Sequence, residues 1–63
     1  MALGPFTRIV LKRADGRVEV LTRPGLQDPH AAARAIELRS GGKVTAVRHE
    51  HPTNGTIAIH KVN

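Results

Sequence analysis

The chain has 63 residues and no cysteine, which leaves room for one domain and excludes disulfides and thiolate zinc sites. A domain this short buries only roughly 60% of the surface its unfolded chain exposes, so self-association is the expected source of further buried area. Ten Lys plus Arg against five Asp plus Glu give a formal net charge of +5, a balance that favours contact with polyanions.

The first six residues, Met1-Ala2-Leu3-Gly4-Pro5-Phe6, read as an N-terminal arm of a single domain covering 1–63. They lack the basic segment and apolar run of a signal peptide. No stretch reaches the length of a membrane span, and with no cysteine to protect the expected address is the cytoplasm of the producing cell or its host.

Thr7 to Arg13 predicts a first strand, Ala14-Asp15-Gly16-Arg17 a turn, and Arg17 to Arg23 the returning strand. With Asp15 and Gly16 as a two-residue loop, Leu11 faces Val20, Val10 faces Leu21, and Lys12 faces Glu19. The last pair adds roughly 0.2–1 kcal/mol, whereas Arg8 opposite Arg23 is unfavourable unless a carboxylate or another anion lies nearby. This register puts Ile9, Leu11, Val18 and Val20 on the core face. It leaves Val10 and Leu21 on the other face among Arg8, Lys12, Arg17, Glu19 and Arg23.

After Arg23-Pro24-Gly25, Asp28 is placed as N-cap with Pro29 at the first helical position. The helix is expected to run to about Ser40 and to end at Gly41-Gly42, with Arg39 complementing its dipole. Ala31, Ala32, Ala35, Ile36 and Leu38 span one broad face opposite His30, Arg34 and Glu37, and Leu26 is expected to fold back on the first turn as a staple.

Lys43 to His51 and Gly55 to Val62 predict the last two strands, joined around Pro52-Thr53-Asn54-Gly55. A bulged Thr53-Asn54-Gly55 loop pairs Ile57 with His51, Ile59 with His49 and Lys61 with Val47. A two-residue Asn54-Gly55 loop instead opposes Ile59 to Glu50 and Lys61 to Arg48. The first conflicts less with burial, though it leaves the inward face of the third strand open. The fold class is α+β, a ββαββ chain with a four-stranded antiparallel sheet in the order 2-1-3-4 and the helix across one face.

Catalytic parts are lacking. Ser40 is the only serine and sits at a helix end, no Gly-x-Ser-x-Gly elbow occurs, and the carboxylates have turn, cap or pairing roles. Gly41-Gly42-Lys43 follows a helix instead of opening one, the reverse of a phosphate cradle. An enzyme is therefore not expected, and no cofactor is implied.

His49-Glu50-His51 is the sharpest local feature, because alternate strand residues point the same way and two imidazoles suit zinc, nickel or copper. Under the bulged register His60 points to the other face, so Glu50 or another chain would have to complete the shell. The plainer reading is that these are polar residues on a wet strand end beside a turn, and no metal is assigned.

Two binding readings remain. The uncovered sheet face joins Val10 and Leu21 to Ala58, His60 and Val62, an apolar patch rimmed by charge that suits a second copy or a protein partner. Alternatively, Arg8, Lys12, Arg17 and Arg23 contact the phosphates of duplex DNA. Single-stranded nucleic acid is disfavoured because Phe6 is the only aromatic residue. Arg outnumbers Lys seven to three, with Ala, Gly and Val frequent, a usage common in high-GC genomes, while the size, the charge and the lack of catalytic parts look like those of accessory or regulatory proteins of high-GC bacteria or their phages. The leading expectation is a small non-enzymatic module that forms a homodimer and binds a protein partner, with no role at a membrane.

Overall fold

The computed structural model describes residues 4–62. Along them run β1 (Phe6–Lys12), β2 (Val18–Pro24), α1 (Pro29–Ser40), β3 (Lys43–His51) and β4 (Gly55–Lys61). The strands form one antiparallel sheet in the order β2-β1-β3-β4, so the chain is an α+β ββαββ protein. Of the expected N-terminal arm, Phe6 is already the first residue of β1, and residues 1–3 lie outside the described region.

Asp28 caps α1 by accepting a 2.9 Å hydrogen bond from the Ala31 N–H, Pro29 follows it, and Gly41 ends the helix at φ 72°. The inward face differs from the one expected. Ala33 and Ile36 are buried and Ala32 packs beside them, whereas Leu38 is 82% exposed and Ala31 and Ala35 face solvent. Spacings of three and four residues link Pro29, Ala32, Ala33, Ile36, Glu37 and Ser40 into one stripe. Leu38, expected inside because it is apolar, lies outside that stripe. Leu26, expected to staple the helix start, remains 54% exposed.

The first hairpin is displaced by one residue from its expected pairing: Ile9 faces Leu21, Val10 faces Val20 and Leu11 faces Glu19. The turn explains the slip. A two-residue loop with this twist needs positive φ at both central positions, but among the described residues only glycines have it, with Gly16 at 90°. The chain therefore uses a three-residue loop, closed by Gly16 N–H to Arg13 O (3.0 Å) and Arg13 N–H to Arg17 O (2.8 Å). Because side chains alternate, one residue of slip moves all of β2 to the opposite face. Leu21 turns to the core, and Val18 and Val20, expected inside, are 61% and 55% exposed. Lys12 consequently faces Val18, while Glu19 accepts two hydrogen bonds from Arg13, at 2.6 and 3.3 Å.

The second hairpin follows neither expected register. His51 pairs with Gly55 around Pro52, Thr53 and Asn54, and Gly55 carries the positive φ of 74°. A bulged loop closed by Pro52 and Thr56 would need an N–H that proline lacks. One extra residue, Ile57, then interrupts β4, after which His49 faces Ala58, Arg48 faces Ile59, Val47 faces His60 and Ala46 faces Lys61. A matching irregularity in β3 leaves Thr45 between Ala46, which faces Val10, and Val44, which faces Leu11.

The core is the layer between α1 and the two central strands. Ile9 and Leu11 of β1, Val44 and Val47 of β3, and Ala33 and Ile36 of α1 are buried, with Leu21 and Val62 packed against them. Gly42 sets how closely the helix end approaches the sheet, because a Cβ there would lie 2.9 Å from both the Leu11 Cδ1 and the Lys12 carbonyl oxygen.

Candidate docking face

Four rungs of side chains cross the sheet face opposite the helix, as the registers dictate. Pro24, Phe6, Glu50 and Thr56 form the first, and Thr22, Arg8, Arg48 and Ile59 the second. Val20, Val10, Ala46 and Lys61 form the third, and Val18, Lys12 and Lys43 the fourth. An apolar strip of Val18, Val20, Val10 and Ala46 thus runs between cationic groups. Ile59, 57% exposed, extends it towards the β4 edge.

Two like-charged pairs lie directly opposite across β1 and β3, and they are treated differently. Arg8 and Arg48 are bridged by Glu50, whose carboxylate is 2.8 Å from the Arg8 Nε and 4.0 Å from the Arg48 Nε. Glu50 is largely buried and also accepts from the Thr56 hydroxyl at 3.4 Å. The Arg8 guanidinium lies 5.5 Å from the centre of the Phe6 ring. Beside this clamp, Pro5, Phe6, Arg8, Pro24, Glu50 and Pro52 help line an open groove of about 890 Å3. Lys12 and Lys43 have no such bridge, and neither they nor Lys61 form an ion pair among the described residues.

The residues singled out from the sequence do not share this face. Val10 is on it, but Leu21 and Val62 pack against the core, and Ala58 and His60 lie on the helix side opposite His49 and Val47. The expected apolar patch is therefore replaced by Val10, Val18, Val20, Ala46 and Ile59. Of the four expected phosphate contacts, Arg8 and Lys12 are on the open face. Arg17 sits at the hairpin tip, 3.3 Å from the Asp15 carboxylate. Arg23 is turned to the helix side, where it lines a cleft with Ile9, Ala32 and Ile36. Lys43, Arg48 and Lys61 join Arg8 and Lys12; alternation from the inward Val47 is enough to place Arg48, whereas Lys43 and Lys61 lie beyond the irregularities at Thr45 and Ile57 that alternation alone does not reveal.

The histidines are also redistributed. His51 accepts a 3.1 Å hydrogen bond at Nδ1 from the Thr53 N–H in its own turn. His49 and His60, expected on opposite faces under the bulged register, meet on the helix side with ring centroids 4.7 Å apart. No group of three or more His, Cys, Asp or Glu side chains arranged to hold a metal occurs among the described residues.

Away from the open face, each remaining carboxylate has a local role. Arg13 binds Glu19 and also donates to the Ser40 carbonyl at 3.2 Å, tying the first hairpin to the helix end. That guanidinium holds the Glu19 carboxyl below its ordinary pKa, and the carboxylate raises that of Arg13. The Ala31 N–H likewise lowers the pKa of Asp28. Glu37 accepts from the Val44 N–H at 3.4 Å. No described helix is long and apolar enough to cross a membrane. Comparison with protein families, with curated proteins and with solved structures finds no match to this chain.

Proposed function

We propose that the chain is a non-enzymatic interaction module of the cytoplasm that binds an acidic protein partner on the open face of its sheet. The observation that carries this reading is the exposed strip of Val18, Val20 and Ile59 set among Lys12, Lys43 and Lys61, which have no ion-pair partner among the described residues. Apolar surface of this kind gains from burial against another protein, while unpaired lysines favour a partner with carboxylates. The carboxylates in local structural roles support the non-enzymatic part.

A second copy would bring the same lysines to the face, so self-association is assigned instead to the outer edges of β2 and β4, each hydrogen-bonded on one side only. Light scattering at increasing concentration is expected to show dimers, and a strictly monomeric chain at high concentration removes that part of the proposal.

Duplex DNA is the second reading, favoured by the Lys12–Lys43 pair. Against it, Glu50 occupies the same face and offsets one of the two charges of Arg8 and Arg48. Capture from lysate of the source cells, with and without nuclease, separates the two. The wild-type chain and the Leu38→Glu variant are expected to retain a partner that Val20→Glu and Lys12→Glu/Lys43→Glu lose. Release of the captured material by nuclease, together with steeply salt-dependent retention on duplex DNA, supports the second reading and overturns the first.

A further inference from the structure

The helix side of the sheet carries a chain of hydrogen bonds that fixes one imidazole. Thr7, fully buried on β1, donates from Oγ1 to the Gly25 carbonyl at 2.7 Å and accepts the Gln27 N–H at 3.0 Å. This holds the β2–α1 connection against the sheet. The Gln27 carbonyl oxygen lies 2.8 Å from Nε2 of His49. A carbonyl only accepts, so Nε2 carries the proton and the neutral ring has its lone pair on Nδ1. That lone pair faces Nε2 of His60 at 3.3 Å, and the two ring planes are inclined at 66°.

We infer that His49 Nδ1 and His60 Nε2 form a two-histidine site for a divalent cation of the zinc, copper or nickel class. Metal–imidazole bonds of about 2.0–2.1 Å in tetrahedral geometry place two ligand nitrogens roughly 3.3–3.4 Å apart, the separation already present here. Histidines that bind metals regularly donate their other N–H to a backbone carbonyl or carboxylate, which fixes the tautomer; for His49 the Gln27 carbonyl does so. Imidazole nitrogen is the ligand type these cations prefer. Without the cation, the His60 Nε2 proton is shared with His49 Nδ1. When the cation binds, that proton moves to Nδ1 of His60, so a neutral pair gains two metal–nitrogen bonds and releases no proton. No third His, Cys, Asp or Glu joins the two among the described residues. The remaining coordination positions therefore belong to water or to donor atoms of a bound molecule. The site differs from a His49–His51 pair, since His51 spends its Nδ1 on its own turn.

Zinc chloride titrated into the untagged full chain at pH 7, where millimolar zinc stays in solution, and followed through imidazole 1H–15N spectra, tests the inference. His49 Nδ1 and His60 Nε2 are expected to shift together and saturate at one equivalent, while His30 and His51 stay in place. His60→Gln, which keeps a hydrogen-bonding group beside His49, is expected to weaken zinc at least tenfold. His51→Ala is expected to leave affinity unchanged. Saturable shifts at His30 or His51 instead, or no saturation of the His49 and His60 signals at millimolar zinc, overturn the site, and the wild-type spectra decide this even where a variant folds poorly.

Discussion

Single side chains set both the stability of this small domain and its response to acid. Glu19 and Asp28 have lowered pKa values, caused first by hydrogen bonds from Arg13 and from the Ala31 N–H. A carboxyl whose pKa is lower in the folded chain contributes its full stability above the unfolded value, about 4, and loses it as pH falls through the folded one. The unfolding midpoint in urea is thus expected to fall as pH drops below about 4 and through the lowered values of these two groups. Asp28→Asn, which keeps a capping oxygen without a titrating group, is expected to make that drop shallower; an unchanged slope removes Asp28 from the account. Gly42 is the other sensitive position. Gly42→Ala drives a methyl into the Lys12 carbonyl oxygen, which cannot swing away as a flexible side-chain end would. A loss of about 1–3 kcal/mol is expected in chemical denaturation.

At the scale of elements, the turns decide which side chains the strands display. Gly16→Ala places a Cβ at φ 90° and is expected to cost about 1–2 kcal/mol, with Gly16→Asn costing less because Asn tolerates this region better. The β2 register has a sharper test in two neighbouring residues. Leu21→Ala is expected to lose about 1–3 kcal/mol because Leu21 packs on the core, whereas Val20→Thr on the open face stays within about 0.5 kcal/mol. The opposite ranking would restore the two-residue turn. Helix bounds and capping, and strand bounds to within one residue, were legible in the sequence because Asp28-Pro29, Gly41 and the apolar strands are local signals, and the sheet order followed from two hairpins flanking one helix. Register was not. Asp-Gly and Asn-Gly each admit several loop lengths, and the choice rests on φ at one residue and on the missing N–H of Pro52. The open face inherits that ambiguity strand by strand: Arg8, Val10 and Lys12 of β1 lie where expected, whereas the residues of β2 and β4 change sides together.

On the scale of the whole molecule, a core restricted to one side of the sheet leaves the other side available for binding. Val20→Glu and Lys12→Glu/Lys43→Glu are expected to retain the fold, checked by circular dichroism, while removing partner capture; loss of the fold in both would make the open face structural instead. The sheet order has a kinetic consequence. β1–β2 and β3–β4 are hairpins closed by short turns, but the central contact joins residues 6–12 to residues 43–51, and those two strands contribute all four fully buried apolar side chains of the sheet. Each hairpin alone can form without closing a long loop, yet neither holds a core until that distant seam zips together. Amide hydrogens along the β1–β3 seam should exchange with solvent only through global unfolding, while those on the outer edges of β2 and β4 exchange through local fraying.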